Sequence, residues 1–389
     1  MSPQKLLSIL PVLSQPSPAT CRQSYLHSTY ASVDLAPTAL ANLAQRKGVA
    51  VSLKSICMHS QQKIAYGAFG MSIAMASVAS INLLYSMTAD GLMRLESALL
   101  IPDPFRTEAG YSFPSIEALA LLCAWFRSLG AEYILSANYN RSQSAISQLV
   151  NELVLYFDAT WRHLLDFDHT GLLSPQNLAR YADALRRAGV PEVLIWGFID
   201  CTIRQICKPS EWQRQAYSGH KKFHALKFQA LCIPNGLIAH LFGPEEGRRN
   251  DNLLASKSEI FEKCREHAKQ PLDPDAPTGD QYYHLFGDPA YGVSPVLLSP
   301  FADPDKNEKA WNSIMSSVRI SVEHSFDIVV NNWPFLNAYW KHKVYASPVG
   351  TYYRIAVLLT NAINCFHPNQ TAQKYNCPPP TVEEYFHLA

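Results

Sequence analysis

Three acidic residues are candidates for catalysis because each lies next to a run of apolar residues. Such a run predicts that the neighbouring carboxyl group is buried or partly buried. Asp200 follows the run VLIWGFI, Asp288 follows HLFG, and Glu323 lies within VRISVEHSF. A buried carboxylate costs free energy unless a cation, often a metal ion, meets it. Carboxylates suit Mg²⁺, and two such ions can activate the attacking oxygen and stabilise the leaving oxygen of a phosphoryl transfer. The three acids together therefore indicate two-metal phosphoryl transfer.

Each acid also has a purely structural explanation. Asp200 could cap a strand that it ends, since Asp-Cys-Thr is compatible with a turn. Arg319 precedes Glu323 by four residues, so the two could form an ordinary ion pair on a helix. Asp251 follows the Gly-rich segment GPEEGRRN and could either cap the next helix or lie beside Asp200. The residues alone leave these alternatives open.

A basic stretch follows Asp200. Between Arg204 and Lys227 the chain has six cations and one acid, Glu211. The formal net charge of the whole chain is only +1, so these cations predict a local anion-binding surface rather than a chain that coats nucleic acid throughout.

The elements that must position the acids can be predicted from the same region. The apolar run before Asp200 predicts a strand buried on both faces. FHALKFQALCI and GLIAHLF, separated by Pro-Asn-Gly, predict an antiparallel hairpin. A helix after Asp251, a short strand before Asp288 and a helix from about Asn307 to Val329 complete the series. The order strand, hairpin, helix, strand, helix is that of an RNase H-like nuclease core.

Residues 115–157 predict three helices. In the last of them Ser142 can act as the N-cap, apolar residues such as Ile146 and Leu153 share one side, and the other side is rich in Ser, Gln and Asn. Such a polar helix after a short turn is typical of a helix-turn-helix that reads DNA bases. A structural three-helix unit would have almost the same pattern.

The composition favours a folded chain in a reducing compartment. Of the 389 residues 48% are hydrophobic, and the nine cysteines include no CxxC pair. This argues against a disulfide framework or a zinc ribbon. Residues 64–89 carry no charge, but their Gly, Ser and Asn residues make a membrane span an unfavoured interpretation.

The chain resembles the PIF/Harbinger class of DNA transposases, whose DDE endonuclease domain also occurs in transposon-derived genes. The resemblance extends from about Leu92 to Tyr385. It is carried by WGFIDCTIRQICKPS, YSGHKKFHALKFQA, GPEEGRRNDNLL, FGDPAYG, VRISVEHSF, SPVGTYYRIAVLLTNAINC and PPPTVEEYF, with NYNRSQSAIS similar to the family's helix-turn-helix. It implies an α/β fold: an RNase H-like core with a mixed central sheet flanked by helices, preceded by an all-α helix-turn-helix region. We expect an N-terminal extension at 1–90, the DNA-binding region at 91–190, and the endonuclease with a C-terminal helical tail at 191–389.

The resemblance assigns roles to individual residues. Asp200, Asp288 and Glu323 match the catalytic D, D and E, which would hold Mg²⁺ or Mn²⁺, and Asp251 matches a further acid that commonly accompanies them. The residues implied in DNA contacts are Lys222, His224, Lys227, Arg248, Arg249, Arg141, Ser142 and Gln143. The chain departs from the family at Asn250, where many relatives have His, and in its N-terminal extension, which matches no part of it.

The expected function is that of a nuclear, metal-dependent endonuclease and transposase. It would cut and join double-stranded DNA at terminal inverted repeats and at a target site, assisted by a Myb-like protein and as a possible homo-oligomer, without a membrane. The alternative is a domesticated, catalytically silent protein that binds DNA or acts as a scaffold.

Overall fold

The computed structural model describes residues 89–191, 194–270, 277 and 281–387, without the side chains of Ala89 and Val322. All of them belong to one compact unit, Met75–Ala389. The predicted N-terminal extension at 1–90 lies almost entirely outside the described residues, and so does the uncharged stretch at 64–89. Within the part that the structure describes, no helix has the length and apolar character needed to cross a membrane.

The chain before the central sheet is mainly helical. Its elements are α1 (Ala89–Ala98), β1 (Phe105–Arg106), β2 (Ser112–Phe113), α2 (Ser115–Arg127), α3 (Glu132–Tyr139), α4 (Gln143–Trp161) and α5 (Pro175–Arg187), with β1 and β2 paired antiparallel. The three helices predicted within 115–157 are therefore present. As predicted, Ser142 caps α4 by accepting a hydrogen bond from the N–H of Ala145, and Ile146 and Leu153 are buried.

A mixed sheet of six strands forms the centre of the fold. Its strands are β3 (Ile195–Gln205), β4 (Tyr217–Ser218), β5 (Phe223–Cys232), β6 (Ile238–Glu246), β7 (His284–Phe286) and β8 (Leu297–Leu298). The spatial order is β6, β5, β3, β7, β8, with β4 paired to the first residues of β5. The β5–β6 hairpin and its pairing with β3 are antiparallel, whereas β3, β7 and β8 run parallel.

Helices cover both faces of this sheet. The remaining helices are α6 (Gln213–Ala216), α7 (Asp251–Ser258), α8 (Ile260–His267), α9 (Lys306–Asn332), α10 (Val349–Phe366), α11 (Gln370–Lys374) and α12 (Val382–Tyr385). Phe228 and Gln229 are consecutive in β5 and so point to opposite faces. The Phe228 ring packs against Tyr353 of α10, and Gln229 accepts a hydrogen bond from Ser258 of α7. The fold is therefore a mixed α/β fold with helices on both sides.

The predicted long helix before the C-terminus is α9, which begins with a capping box formed by Asp305 and Glu308. α10 is anchored to the hairpin by Asn361, whose side chain bonds both the N–H and the C=O of Ile238. Apolar side chains of the helices before β3 and of the sheet belong to the same hydrophobic core.

The register of β3 corrects one prediction. Asp200 does not end a strand but lies in the middle of β3, because antiparallel pairing with β5 continues as far as Gln205 and Ala225. Only the parallel pairing with β7 stops early, at the pair Phe198 and Phe286. Asp200 therefore has a neighbouring strand on one side and the loop after β7 on the other.

Candidate active site

The three predicted acids meet at one guanidinium group. Arg319 places Nη1 3.5 Å from Oδ2 of Asp200 and 3.5 Å from Oδ2 of Asp288. Its Nη2 lies 3.7 Å from Oε1 of Glu323. Since two of these oxygens share one nitrogen, they cannot be further apart than twice their distance to it. Residues from β3, from the loop after β7 and from α9 thus form one cluster, which we call the carboxylate cluster: Asp200, Asp288, Glu323 and Arg319.

Strand register brings the two aspartates together. Phe198 and Phe286 are partners in the parallel pair, and Asp200 and Asp288 each follow two residues later. Gly287 permits the close approach, because an added Cβ would lie 3.0 Å from Cγ2 of Ile199 and 3.1 Å from the Tyr291 ring. The sequence between strand and acid is therefore constrained by packing.

Backbone hydrogen bonds orient both aspartates. Oδ1 of Asp200 accepts a hydrogen bond of 2.7 Å from the N–H of Cys201. Oδ1 of Asp288 accepts a hydrogen bond of 2.9 Å from the N–H of Ala290, so that Asp288 caps the short 3-10 helix Pro289–Tyr291. With one oxygen of each carboxylate held by the backbone, the other oxygen faces Arg319.

Burial and neighbouring charges make Asp200 hard to ionise. Burial raises the pKa of Asp200 from 3.8 to about 6, and the negative charges of Asp251 and Asp288 act in the same direction. The N–H of Cys201 and the guanidinium of Arg319 lower it, but by less. The surroundings of Asp200 thus favour an additional positive charge.

Asp251 lies near this cluster and is not the helix cap. The cap of α7 is Asn250, whose side chain accepts a hydrogen bond from the N–H of Leu253. Asp251 is the first residue of α7 and forms an ion pair with Lys227 of β5. Because the cap position is taken by Asn250, Asp251 is free to face the sheet, where its charge raises the pKa of Asp200.

Glu323 differs from its predicted surroundings. An apolar neighbourhood was expected, yet its side chain is 57% exposed. The reason is the helical phase of α9, which turns Val318, Phe326 and Val329 into the core while Glu323 remains at the rim. The predicted ion pair between Arg319 and Glu323 is present, but the same guanidinium also contacts both aspartates.

The sequence around the carboxylate cluster is similar to that of a known protein family. Residues 199–361 match the family model of the DDE superfamily endonuclease. The matched segment contains all four residues of the carboxylate cluster together with Asp251. Comparisons with curated proteins and with solved structures found no match. The match supports a nuclease of the transposase type for this part of the chain, and it covers less than half of the 389 residues.

The oxygen donors of the DDE segment suit a divalent metal, although their spacing is that of an ion pair. Among residues 89–191, 194–270 and 281–387, no three His, Cys, Asp or Glu side chains lie close enough to enclose a metal ion. A guanidinium holds the carboxylates 3.5–3.7 Å from its nitrogens, whereas Mg²⁺ draws oxygens to about 2.0–2.1 Å. The carboxylate oxygens are hard ligands, and the charge around Asp200 favours a further cation. The donor atoms therefore suit Mg²⁺ or Mn²⁺ by their chemistry, while their spacing is set by Arg319.

The predicted DNA-contacting residues of the DDE segment fall into two groups. Lys222 and Arg248 are exposed and His224 is half-buried. Arg249 is instead bound to Glu246 at 2.6 Å, and Lys227 contacts Asp251 and donates a hydrogen bond to the C=O of Arg249. Contacts within the fold therefore engage two of the five side chains.

The predicted DNA-contacting residues before the DDE segment are also partly engaged. Arg141 forms two hydrogen bonds of 2.8 Å with the buried carboxylate of Glu117, and its guanidinium lies over the ring of Phe113. Ser142 caps α4, and Gln143 is exposed in its first turn. Of the three, Gln143 has the side chain most accessible to a partner.

The contacts of Arg319 with the two aspartates could not be seen in the sequence. There, Arg319 stands out only as the partner of Glu323, one helical turn away. In the chain, Arg319 is 31 positions from Asp288 and 119 positions from Asp200, so these contacts join distant segments. The signal that could have indicated them was a cation one turn before the third acid.

Proposed function

We propose that this protein is a metal-dependent DNA endonuclease and transposase of the PIF/Harbinger type. It would cut and join DNA at terminal inverted repeats by two-metal phosphoryl transfer. The observation that carries the proposal is the convergence of Asp200, Asp288 and Glu323 on one cation, within the segment that matches the DDE superfamily endonuclease.

The arrangement of the sheet supports an RNase H-like core. The chain follows the order strand, hairpin, helix, strand, helix through β3, β5, β6, α7, α8, β7 and α9. The first acid comes from the central strand β3, the second follows its parallel neighbour β7, and the third comes from the late helix. The three acids therefore stand on the elements from which a shared metal site can be built.

The residues of the site have distinct roles in this proposal. Asp200, Asp288 and Glu323 would hold the divalent ions, with Asp251 as an auxiliary ligand. When bound, two such ions activate an attacking hydroxyl and stabilise the leaving oxygen. The N–H groups of Cys201 and Ala290 fix the orientation of the two aspartates, so that each presents Oδ2 to the site. Arg319 neutralises the cluster until metal binds.

The remaining parts of the proposal concern DNA. Exposed Lys222 and Arg248, with His224 beside them, would contact backbone phosphates. Lys227 and Arg249 remain candidates for the same contacts only if they leave Asp251 and Glu246. Arg141, Ser142 and Gln143 would act at the start of a DNA-reading helix, with Gln143 nearest to base edges. Nuclear localisation, a Myb-like partner and a homo-oligomer belong to this proposal as well.

Metal-dependent cleavage of the cognate end DNA tests the proposal. We expect cleavage with Mg²⁺ or Mn²⁺, and its loss in Asp200→Ala, Asp288→Ala and Glu323→Ala. Glu262→Ala is the matched control, since Glu262 is an exposed acid of α8 that pairs with Arg265 at 3.1 Å and lies outside the carboxylate cluster. If the wild type leaves the DNA uncut, or Asp200→Ala cuts as well as the control, the proposed site is wrong.

A second candidate function is DNA binding without cleavage, as in a domesticated transposase. The observation that favours it is Arg319, whose guanidinium stands between the acids in place of a metal. This protein would bind DNA in a salt-sensitive way with no metal-dependent turnover. The same experiment distinguishes the two functions, because binding without cleavage by the wild type supports the second.

A further inference from the structure

A second candidate site lies at the other end of β5. Gln213, Arg214, Tyr217, His224 and Arg248 line an open cavity of about 360 Å³, which we call the aromatic-basic pocket. Cavities of a few hundred Å³ accommodate small ligands or parts of larger ones. The lining combines two arginines, two rings and an amide, and it includes no acid.

The arginines of the pocket are available to an anion. Arg214 and Arg248 are both exposed, and neither forms an ion pair with any residue that the structure describes. Arg249, the neighbour of Arg248, is instead bound to Glu246. The positive charge of Lys208 is also near, since it lowers the pKa of the His224 imidazole. The pocket is thus a local concentration of unneutralised positive charge in a chain of net charge +1.

The rings of the pocket offer an apolar surface to solvent. Tyr217 is 39% exposed and meets the imidazole of His224 edge-on, with ring centroids 5.3 Å apart. Burial and the nearby charge of Lys208 lower the pKa of His224. An exposed tyrosine held against this ring is a platform on which a flat group can stack.

Exposed aromatic residues continue beside the pocket. Trp212, immediately before the pocket residues of α6, is 44% exposed. The loop before it is tied to a second segment, because the hydroxyl of Tyr345 donates to the C=O of Glu211 and the thiol of Cys207 to the C=O of Trp340. Trp340 is 52% exposed. Large aromatic side chains are usually buried, so these two exposed indoles add to the apolar surface that this part of the protein offers to a partner.

We propose that the aromatic-basic pocket binds an unpaired nucleotide, with its base on Tyr217 and its phosphates at Arg214 and Arg248. Proteins that hold single strands combine stacking aromatic residues with a cationic track for the backbone. A site for duplex backbone needs cations alone, because bases inside a duplex are already stacked. The rings of the pocket therefore favour an unpaired strand.

The position of the pocket fits a strand that continues towards the carboxylate cluster. The N–H of Ile206 bonds the C=O of His224, and Ile206, just after the end of β3, follows Asp200 by six residues. At about 3.3 Å per residue of extended chain, this is about 20 Å, a distance that a few nucleotides of one DNA strand can span. This inference depends on the proposed function only in taking DNA as the polymer.

Binding of a fluorescent oligothymidylate in the absence of metal tests the pocket. We expect Tyr217→Ala to weaken the binding of the single strand about tenfold, the effect of losing one stacked base. Tyr217→Phe should bind as the wild type does, because it keeps the ring. Phe301→Ala is the matched control, since Phe301 is an aromatic residue that is 45% exposed and lies outside both the pocket and the region at 91–190.

A blunt duplex of the same length is the second ligand. Tyr217→Ala should change its binding much less than that of the single strand, whereas Arg214→Ala and Arg248→Ala should weaken both. If Tyr217→Ala binds the single strand as the control does, or loses both ligands equally, the pocket does not hold an unpaired nucleotide. Thermal melts of each variant show that the fold is kept.

The two proposals fail in different ways. Asp200→Ala should keep the dependence of single-strand binding on Tyr217, because the base stacks at the pocket and not at the carboxylate cluster. Loss of cleavage with retained, Tyr217-dependent binding therefore contradicts the proposed nuclease alone. Cleavage by the wild type with no effect of Tyr217→Ala on binding contradicts the pocket alone.

Discussion

At the scale of single residues, Arg319 supplies the positive charge that the three acids of the carboxylate cluster share. Its two terminal nitrogens contact Asp200, Asp288 and Glu323, so that the positive charge is shared among three acids. A guanidinium is always charged and offers several donors in one plane, which suits it to this position. A divalent ion bound by the same oxygens would repel it. Arg319 and a divalent ion would therefore compete for one set of ligands.

Replacing Arg319 with Gln tests this competition. Without the guanidinium the acids repel one another, so we expect the metal-free protein to lose about 1–3 kcal/mol of stability, between the values for exposed and buried pairs. The same change should increase the gain in melting temperature on adding Mn²⁺, because ligands that bind the native state stabilise it. Thermal denaturation with EDTA and with Mn²⁺ measures both effects.

The control for this variant is Arg265→Gln. Arg265 pairs with Glu262 on the surface of α8, at 3.1 Å, and lies outside the cluster. It should leave the response to Mn²⁺ unchanged. A smaller response to Mn²⁺ in Arg319→Gln than in the control would show that Arg319 assists metal binding instead of competing with it.

The raised pKa of Asp200 predicts how the stability of the metal-free protein depends on pH. The pKa is 3.8 in the unfolded chain and about 6 in the native state, so the native state keeps this proton to higher pH. The stabilisation is complete below pH 4 and is lost as the pH rises through 6, by at most about 3 kcal/mol. Urea denaturation in EDTA measures it, and Asp200→Asn should not show this loss. Parallel pH profiles for the two proteins would contradict the prediction.

At the scale of elements, the meeting of the aspartates depends on the register of β3 and β7. Sequence patterns predicted the strand before Asp200, the hairpin, α9 and the candidate acids Asp200, Asp288 and Glu323, because each is a local signal. A site role for Asp251 was implied only by the family resemblance. They could not predict that β3 continues beyond Asp200, since this is decided by pairing with β5. The exposure of Glu323 depends in the same way on the face of α9 that packs against the sheet. What the sequence could not show are contacts between segments far apart in the chain.

Gly287→Ala tests the close approach of the two segments. The added Cβ would lie 3.0 Å from Ile199 and 3.1 Å from Tyr291, so the loop after β7 must shift. We expect a loss of about 1–3 kcal/mol in stability, typical of overpacking, and weaker binding of Mn²⁺ as Asp288 moves. Gly219→Ala is the control, since nothing lies within 4 Å of the atom it adds. Equal melting temperatures and equal Mn²⁺ affinities for the two variants would show that the register does not need a glycine here.

At the scale of the whole molecule, any affinity for DNA would have to come from local charge. With 33 basic and 32 acidic residues, the chain has no general attraction for nucleic acid. Many of its cations are also bound within the fold, as Arg141 is to Glu117 and Lys227 is to Asp251. Exposed cations with no ion-pair partner among the described residues, such as Arg214 and Arg248, are those that can replace counterions on phosphates.

Replacing the adjacent residues Arg248 and Arg249 one at a time tests whether ion pairs within the fold determine which cations can contact DNA phosphates. Arg248 is exposed with no ion-pair partner in the described part of the chain, whereas Arg249 is bound to Glu246 at 2.6 Å. Each phosphate contact contributes about 0.9 to the slope of log affinity against log salt concentration on duplex DNA. Arg248→Ala should therefore reduce the slope by about one, while Arg249→Ala should change it much less. The measurement is binding of one duplex over a series of salt concentrations. Equal slopes for the two variants would mean that ion pairing within the fold does not select which cations meet the DNA.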